Sequence, residues 1–447
     1  MIDVGQKKIM VRWIIYASLT WTLSAYTSFP IRKRSTHKLY NHNSNRNIET
    51  LQSWAHENDI KTLNGFTLKD DDDTGDWSVS ISQNGTKDLP ILQIPSRLIL
   101  SSFHLRKEIS VPTSVLNDLK QKKIEHQIPQ FYLWLKILKE YEKGSESLWY
   151  PWLKSLPDRF TNAIAMDDIE IECLAPFAWS LAKMQKLHLQ YFNEGLDEIP
   201  DIKIDDANAR EWAFMVVFTR AWWNENDDGV DIVPVGDMFN HEHPDNVHIQ
   251  YDENNNCQVY LKDDVSSGSK LTLSYGLETN PYRFMVLYGF FDSNQEFIFS
   301  QMIVDKPSQK HVDLGYDTTK MVISTKDGTL SQENWDVLLY SILEQIPDVQ
   351  QTFYQAHIDK NQIIKDSIQK QYYLETCIIL KKHIDQTLKE MKELLQKIDQ
   401  QDMSQHQLLP MIRDSNIFVY QSFSKAKNRI DLMIQNEMKL RKTNAIS

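Results

Sequence analysis

Asp231-Ile-Val-Pro-Val-Gly-Asp237-Met-Phe-Asn240-His241 is an apolar run that ends in Asp, Asn and His within five residues. On its own it reads as a strand entering a polar turn. A metal reading would recruit His241, His243 and His248, three histidines in an irregular loop, which is a weak ligand pattern. Downstream the period changes to two. Val247, Ile249 and Tyr251 alternate with polar neighbours, then Val259 and Leu261, then Leu271, Leu273 and Tyr275. Asn254-Asn-Asn256 and Ser266-Ser-Gly268 separate the runs, which predicts a meander of three short antiparallel strands. That alternation puts Tyr275 on the face of Leu271 and Leu273, so its hydroxyl points inward and needs a partner.

Upstream, residues 205–223 predict a helix with the apolar stripe Ala209, Trp212, Ala213, Val216, Val217. The next member of that stripe is Arg220. A guanidinium on a buried face keeps its charge and needs an anion, either a nearby aspartate or a ligand carboxylate. Further helix is predicted from Pro129, where Phe131, Trp134, Leu135, Leu138 and Tyr141 recur until Gly144, and at about 168–191. Asn280 to Phe290 reads as a helix entering a Tyr288-Gly-Phe290 turn. Beyond residue 293, stretches 331–345, 360–399 and 412–441 are long, charged and amphipathic, as in an all-α domain. The twelve tryptophans lie mostly on apolar stripes and read as core.

Composition and missing motifs narrow the chemistry. No two glycines are separated by one residue, so no GxGxxG exists, and GxxxxGK[ST] and GxSxG are also absent. Asp70–Asp73 and Asn224–Gly229 imitate calcium loops, but the twelfth positions are Ile81 and Val235 instead of Glu. The 447 residues carry −12 in total. Residues 1–48 hold eight Lys/Arg against one Asp, a surplus of +7 that leaves −19 for the rest. A body that acidic repels phosphate backbones and favours a basic protein partner over nucleic acid. Cys173, Cys257 and Cys377 are odd in number and far apart, without a CxxC, so no disulfide framework is expected.

The N-terminus reads as an address. Lys7, Lys8 and Arg12 precede the short apolar run Trp13–Leu23, then the small pair Ser24-Ala25. The run is shorter than the ~20 residues that span a bilayer, so no stable membrane anchor is expected. Arg32-Lys-Arg34 to Asn47 is basic, hydroxylated and free of acids. A signal-like segment followed by a transit-like one resembles bipartite plastid presequences, with plain secretion or a cytoplasmic protein as alternatives.

Taken in order, Arg220, Pro234-x-x-Asp237-x-x-Asn240-His241, the strands, Ser274-Tyr275-Gly276, Asn280 and Tyr288-Gly289-Phe290 resemble the SET core of the Rubisco lysine methyltransferase-like family, which includes actin-histidine methyltransferases. Leu135–Gly144 with Ser147-Leu-Trp149-x-Pro151-Trp-Leu-x-Ser-Leu-Pro157 resembles the helical insert of that group, and Ile94–Ser101 the strand end before it. The resemblance implies an α+β fold of SET type: small antiparallel β-sheets with a pseudoknot-like core, a large helical insert and a C-terminal all-α domain. The implied division is a presequence at 1–48, SET core at 49–104, insert at 105–215, SET core again at 216–292, and a helical substrate-binding-like domain at 293–447.

It further implies a protein-lysine N-methyltransferase using S-adenosyl-L-methionine, with no metal. A histidine acceptor or a catalytically inactive binding module are the alternatives. Arg220 would hold the cofactor carboxylate, and Asn240 and His241 its amino group and adenine edge. Tyr275 would be the catalytic residue lining the channel, while Tyr288, Phe290 and Asp237 shape the channel and cofactor pocket. The protein substrate would dock on the C-terminal helices. Gly75-Asp76-Trp77 departs from the family's glycine-rich strand, lacking its second glycine and its basic residue.

Overall fold

The computed structural model describes residues 46–71, 76–224, 229–276 and 281–444. Nearly all of the presequence reading therefore lies outside the described residues, as do Asp72, Asp73, Gly75, Asn226, Asp228 and Asn280. The chain divides into two compact units. The first holds the described residues of 46–160 and 185–276, and the second holds 161–184 and 281–444.

The first unit carries three small sheets. One orders Lys61–Thr62, Pro90–Ile94, Cys257–Leu261 and Val247–Tyr251, all antiparallel. A second orders Phe66–Asp71, Asp76–Ile81, Lys270–Leu273 and Asn240–His241, the last pair being parallel. The third orders Leu100–Ser101, Gly229–Ile232 and Ala221–Asn224. The expected meander is thus corrected. The three strands exist, but only the first two form a hairpin, with Val259 opposite Ile249. The Ser266-Ser-Gly268 connection bonds back to Ile81, through Gly268 N to Ile81 O (2.7 Å) and Ile81 N to Ser269 O (3.1 Å). Those two bonds deliver Lys270–Leu273 to the edge of Asp76–Ile81 instead.

Around these sheets the insert helices bury aromatic residues. Ile128–Lys143 ends at Gly144 (φ 54°) as expected, with Phe131, Trp134, Leu135 and Leu138 fully buried. Tyr141 is the exception and lies half exposed. Phe192, Phe214 and Phe218 form a ring cluster with centroids 4.2–6.2 Å apart. Such pairs are each worth ~0.5–1.5 kcal/mol beyond their area. The Trp134 indole donates to the Arg210 carbonyl at 2.9 Å and ties the two helices together.

Two helix predictions need adjustment. The stretch 168–191 is broken into Asp168–Glu172 and Pro176–Asp197, because Pro176 lacks an N–H and disfavours helical backbone at Ala175. The stretch 205–223 is Ala207–Arg220, capped by the Asp206 carboxylate on Asn208 N. Ala221–Asn224, with two tryptophans, is already strand.

In the second unit, Gln362–Asp399 and Leu409–Asn444 form a long antiparallel pair, joined by Lys381–Asp431 (2.5 Å) and Lys427–Asp385. They bury Cys377, Leu380, Ile384, Val419, Phe423 and Ile430. Thr161–Ala163 straps onto residues 286–289, with bonds from Ala163 N to Val286 O and from Thr161 Oγ1 to Gly289 O.

Gly289 has φ 84°, and an added Cβ would meet Thr161 Oγ1 at 2.4 Å and Asn162 N at 2.7 Å. Gly289→Ala should therefore cost about 2–4 kcal/mol, backbone strain plus overpacking. Gly268 has φ 87° but open space around it, so Gly268→Ala should cost only about 1 kcal/mol. Thermal unfolding of the two variants side by side checks the ranking.

Candidate active site

The helix Ala207–Arg220 delivers its last side chain to a turn. Arg220 Nη1 lies 2.9 Å from the Asp237 carbonyl oxygen and 3.2 Å from its carboxylate. Of the two anions open to the sequence, the structure places the local aspartate on Arg220. The Asp237 side chain is fully buried, and the Trp152 indole N–H reaches both carboxylate oxygens at 3.1 and 3.2 Å. Burial pushes the Asp237 carboxyl above its ordinary value, against the opposing pull of Arg220 and Trp152. Arg220 Nε remains buried without a partner.

The turn that aims Asp237 is strained. Val235, a β-branched residue, sits at φ 72°, ψ −40°, and Asp237 N bonds Val233 O at 2.9 Å. Such backbone costs ~1–3 kcal/mol and persists where the surroundings enforce it.

From this turn the chain enters Asn240–His241, parallel to Thr272–Leu273. Asn240 Nδ2 donates to the Trp77 carbonyl at 3.0 Å. Tyr275 N donates to His241 Nδ1 at 3.1 Å, which leaves the proton of the neutral ring on Nε2. The Tyr275 hydroxyl donates to the Phe239 carbonyl at 2.9 Å, and the His241 and Tyr275 rings are 5.2 Å apart. Burial pushes the phenol up to about 12, with Arg220 pulling down and Asp237 and Asp76 pushing up. The hydroxyl does point inward, but not through strand alternation. The strand ends at Leu273, Thr272 is buried beside Leu271, and Ser274–Gly276 turns the ring in.

Arg220, Asp237, Asn240, His241 and Tyr275 therefore converge within the first unit. Tyr288 and Phe290 belong to the second, where Phe290 stacks on Phe284 at 5.2 Å and lies 6.3 Å from Tyr288. Among the described residues no group of three or more His, Cys, Asp or Glu is arranged to hold a metal.

Two residues were missed in the sequence. Trp152, inside the insert motif, carried only the general signal that a buried indole needs an acceptor. Arg46 fell in the segment assigned to the address. It pairs with Asp76 at 2.5 Å, lies 4.3 Å over the Trp77 ring and donates to the Ser155 carbonyl. It thus brings a basic residue to the strand that lacks one in its own sequence.

The fold is the SET-type methyltransferase fold. The SET domain of LSMT bound to lysine and AdoHcy superposes with a TM-score of 0.62, at 16% identity, over 88% of this chain and 93% of that one. Rubisco LSMT bound to AdoMet gives 0.58 at 14%, over 87% and 92%. No family model matches the chain. By sequence it is similar to the actin-histidine N-methyltransferases of Rattus norvegicus and Xenopus tropicalis, 23% and 24% identical over 261 residues. Those matches span 55% of this chain but only 42–43% of the relatives.

Asp237→Ala would leave the Arg220 guanidinium buried and unpaired and should cost about 3–5 kcal/mol. Adding Arg220→Met should recover a large part of that loss. A double-mutant cycle from denaturant unfolding reads the coupling. Additive losses would mean that the pair is not held as described.

Proposed function

We propose that the chain is an S-adenosylmethionine-dependent protein N-methyltransferase, with a lysine side chain as the acceptor. The observation that carries the reading is the convergence of Arg220, Asn240, His241 and Tyr275 on one place in one unit. The orphaned Arg220 Nε fits a ligand acceptor, because a buried N–H without a partner costs free energy until one arrives. Asp237 occupies one edge of the guanidinium and Trp152 holds Asp237, so the other edge keeps its direction.

When bound, the cofactor supplies a methyl group on a sulfonium centre, displaced in line by a neutral nitrogen held at about 3–3.5 Å. Arg220 would hold its carboxylate. Asn240 and His241 would take its amino group and adenine edge. Tyr275, neutral at any physiological pH, is no base. Its hydroxyl orients the acceptor and offers C–H···O contacts of ~0.5–1 kcal/mol each. A lysine, with a free pKa of about 10.4, must shed its proton before attack, and a desolvated aromatic channel favours that.

A histidine acceptor is the second reading, favoured by the sequence likeness to the actin-histidine enzymes. A SET-like binding module without activity is the third, motivated by the altered Gly75-Asp76-Trp77 strand. We further propose a plastid address on the presequence pattern, and docking of the protein substrate on the C-terminal helices.

Calorimetry with S-adenosylmethionine should give saturable heat, and none at millimolar cofactor would sink the enzyme reading. Mass spectrometry of a methylated target identifies the acceptor. Tyr275→Phe should lower methyl transfer by at least about tenfold, the loss of roughly 1.4 kcal/mol of transition-state contacts, with cofactor affinity unchanged. Because Tyr275 stays protonated until about pH 12, it contributes nothing to the rate profile below pH 10. With a lysine acceptor the rate rises across pH 7–10 as the amine deprotonates. With a histidine it levels off above roughly pH 7.5.

A further inference from the structure

Within the second unit, the helices Gln332–Ile342, Gln362–Asp399 and Leu409–Asn444 leave a cavity of about 260 Å³ between them. Leu330, Leu339 and Met433 give it apolar walls. The Trp335 and Tyr373 rings add a flat aromatic wall, stacked within 14° of parallel with centroids 6.1 Å apart. Gln332 and Arg429, both exposed, open it to solvent. Sites for small molecules and cofactors run to roughly 300–1,000 Å³, so this smaller space suits a single side chain.

The cavity is formed before anything enters it. Asp336, 2% exposed, accepts from Gln332 Nε2 at 2.9 Å, from Gln369 Nε2 at 2.7 Å and from Lys365 Nζ at 2.5 Å. These bonds fasten the first helix to the second. They also spend the amide nitrogen of each lining glutamine on Asp336, and neither amide oxygen accepts a bond among the described residues. Both oxygens are left for the N–H groups of an incoming chain.

Two donors are left over as well. Arg429 makes no hydrogen bond or ion pair among the described residues, nor does the half-buried Trp335 indole N–H. Asp327 and Glu437, whose charges reach Arg429 and Tyr373, are engaged elsewhere. Asp327 accepts from Thr329 N at 2.9 Å, and Glu437 accepts from Arg441 Nε at 2.9 Å. A planar, forked guanidinium is best answered by a carboxylate.

We propose that this cavity is a docking site for a segment of a partner protein, which inserts one aromatic side chain against the Trp335–Tyr373 wall and pairs an adjacent Asp or Glu with Arg429. An aromatic anchor in a preformed pocket is the kind of contact that dominates binding energy. The acidic body gives no long-range attraction to such a segment, so Arg429 acts locally, on register and choice of partner. The site goes beyond the methyltransferase reading and does not rest on it.

The test uses the full chain and fluorescein-labelled Gly/Ser peptides with a central Glu-Phe-Glu, Gln-Phe-Gln or Glu-Ala-Glu triplet, followed by fluorescence anisotropy. Wild type should bind Glu-Phe-Glu about tenfold more tightly than either of the others. Arg429→Gln should level the Glu and Gln peptides while melting with wild type, because the side chain it replaces is exposed and unpaired. Met433→Trp, which fills the cavity with an indole, should remove the preference for Phe, with folding checked by its own melting curve. Three peptides bound alike, no binding at millimolar peptide, or a Glu preference that survives Arg429→Gln overturns the proposal. A Phe preference that survives in folded Met433→Trp puts the ring elsewhere and overturns it too. A wild type that dimerises at micromolar concentration in sedimentation, and is made monomeric by Met433→Trp, would put a second copy of the chain in the cavity in place of the partner segment.

Discussion

The buried pair Arg220–Asp237, held from behind by Trp152, is the constraint on which the first unit's site depends. It joins the end of one helix to a strained turn, and both of its members are too buried to exist alone. Removing Asp237 leaves a guanidinium that cannot shed its charge, and removing Arg220 drives the Asp237 carboxyl further toward its neutral form. The pair is therefore weak evidence for stability and strong evidence for geometry. It sets where Asp237 sits, and through the turn Val235–Met238 it sets where Asn240 and His241 begin. Those two residues then lie parallel to Thr272–Leu273, so the chain must carry Tyr275 back to the same place.

Electrostatics and backbone agree on that meeting point. The Tyr275 phenol feels Arg220, Asp237 and Asp76, which come from three different stretches of sequence. Its hydroxyl donates to the Phe239 carbonyl while the Tyr275 backbone N–H donates to His241 Nδ1, so the residue is held at both ends. A side chain fixed in this way loses little on meeting a ligand, which is the physical content of preorganisation. Arg46 extends the argument to the opposite strand by clamping Asp76 and Trp77, whose carbonyl receives Asn240.

What was legible in the sequence follows from range. Period and local chemistry revealed the helix from Pro129 to Gly144, the hairpin around Asn254–Asn256 and the long C-terminal helices, because neighbours within a turn or two decide them. The need of Arg220 for an anion was legible too, since burial of a guanidinium is costly wherever it occurs. Its choice of Asp237 was not, because a nearby carboxylate and a ligand carboxylate look alike to a periodicity argument. The fate of the third strand was hidden for a related reason. Alternation at Leu271 and Leu273 tells which residues face inward but not which sheet they join, and the bonds from Gly268 and Ser269 to Ile81 decided that. Ala175-Pro176 could have been read correctly, since the break in the helix is a purely local effect of proline. Arg46 could not, because nothing near it in sequence marks it as a partner of a strand thirty residues on.

Among the described residues the buried cations are balanced to different degrees. In the first unit, Lys136 and Arg220 meet carboxylates supplied by the fold itself, while Arg220 Nε stays without an acceptor. In the second, Lys365 is met likewise by Asp336, reinforced by Gln369. Arg283 is left with a hydroxyl at 3.4 Å and an unanswered Nε, beside a π-helical turn and a phenol. A fold that provides counter-ions at Lys136, Arg220 and Lys365 has the means to do so, and a bland Met or Leu at position 283 would avoid the cost altogether. Within the second unit Arg283 is therefore a charge that the described residues leave without a counter-ion.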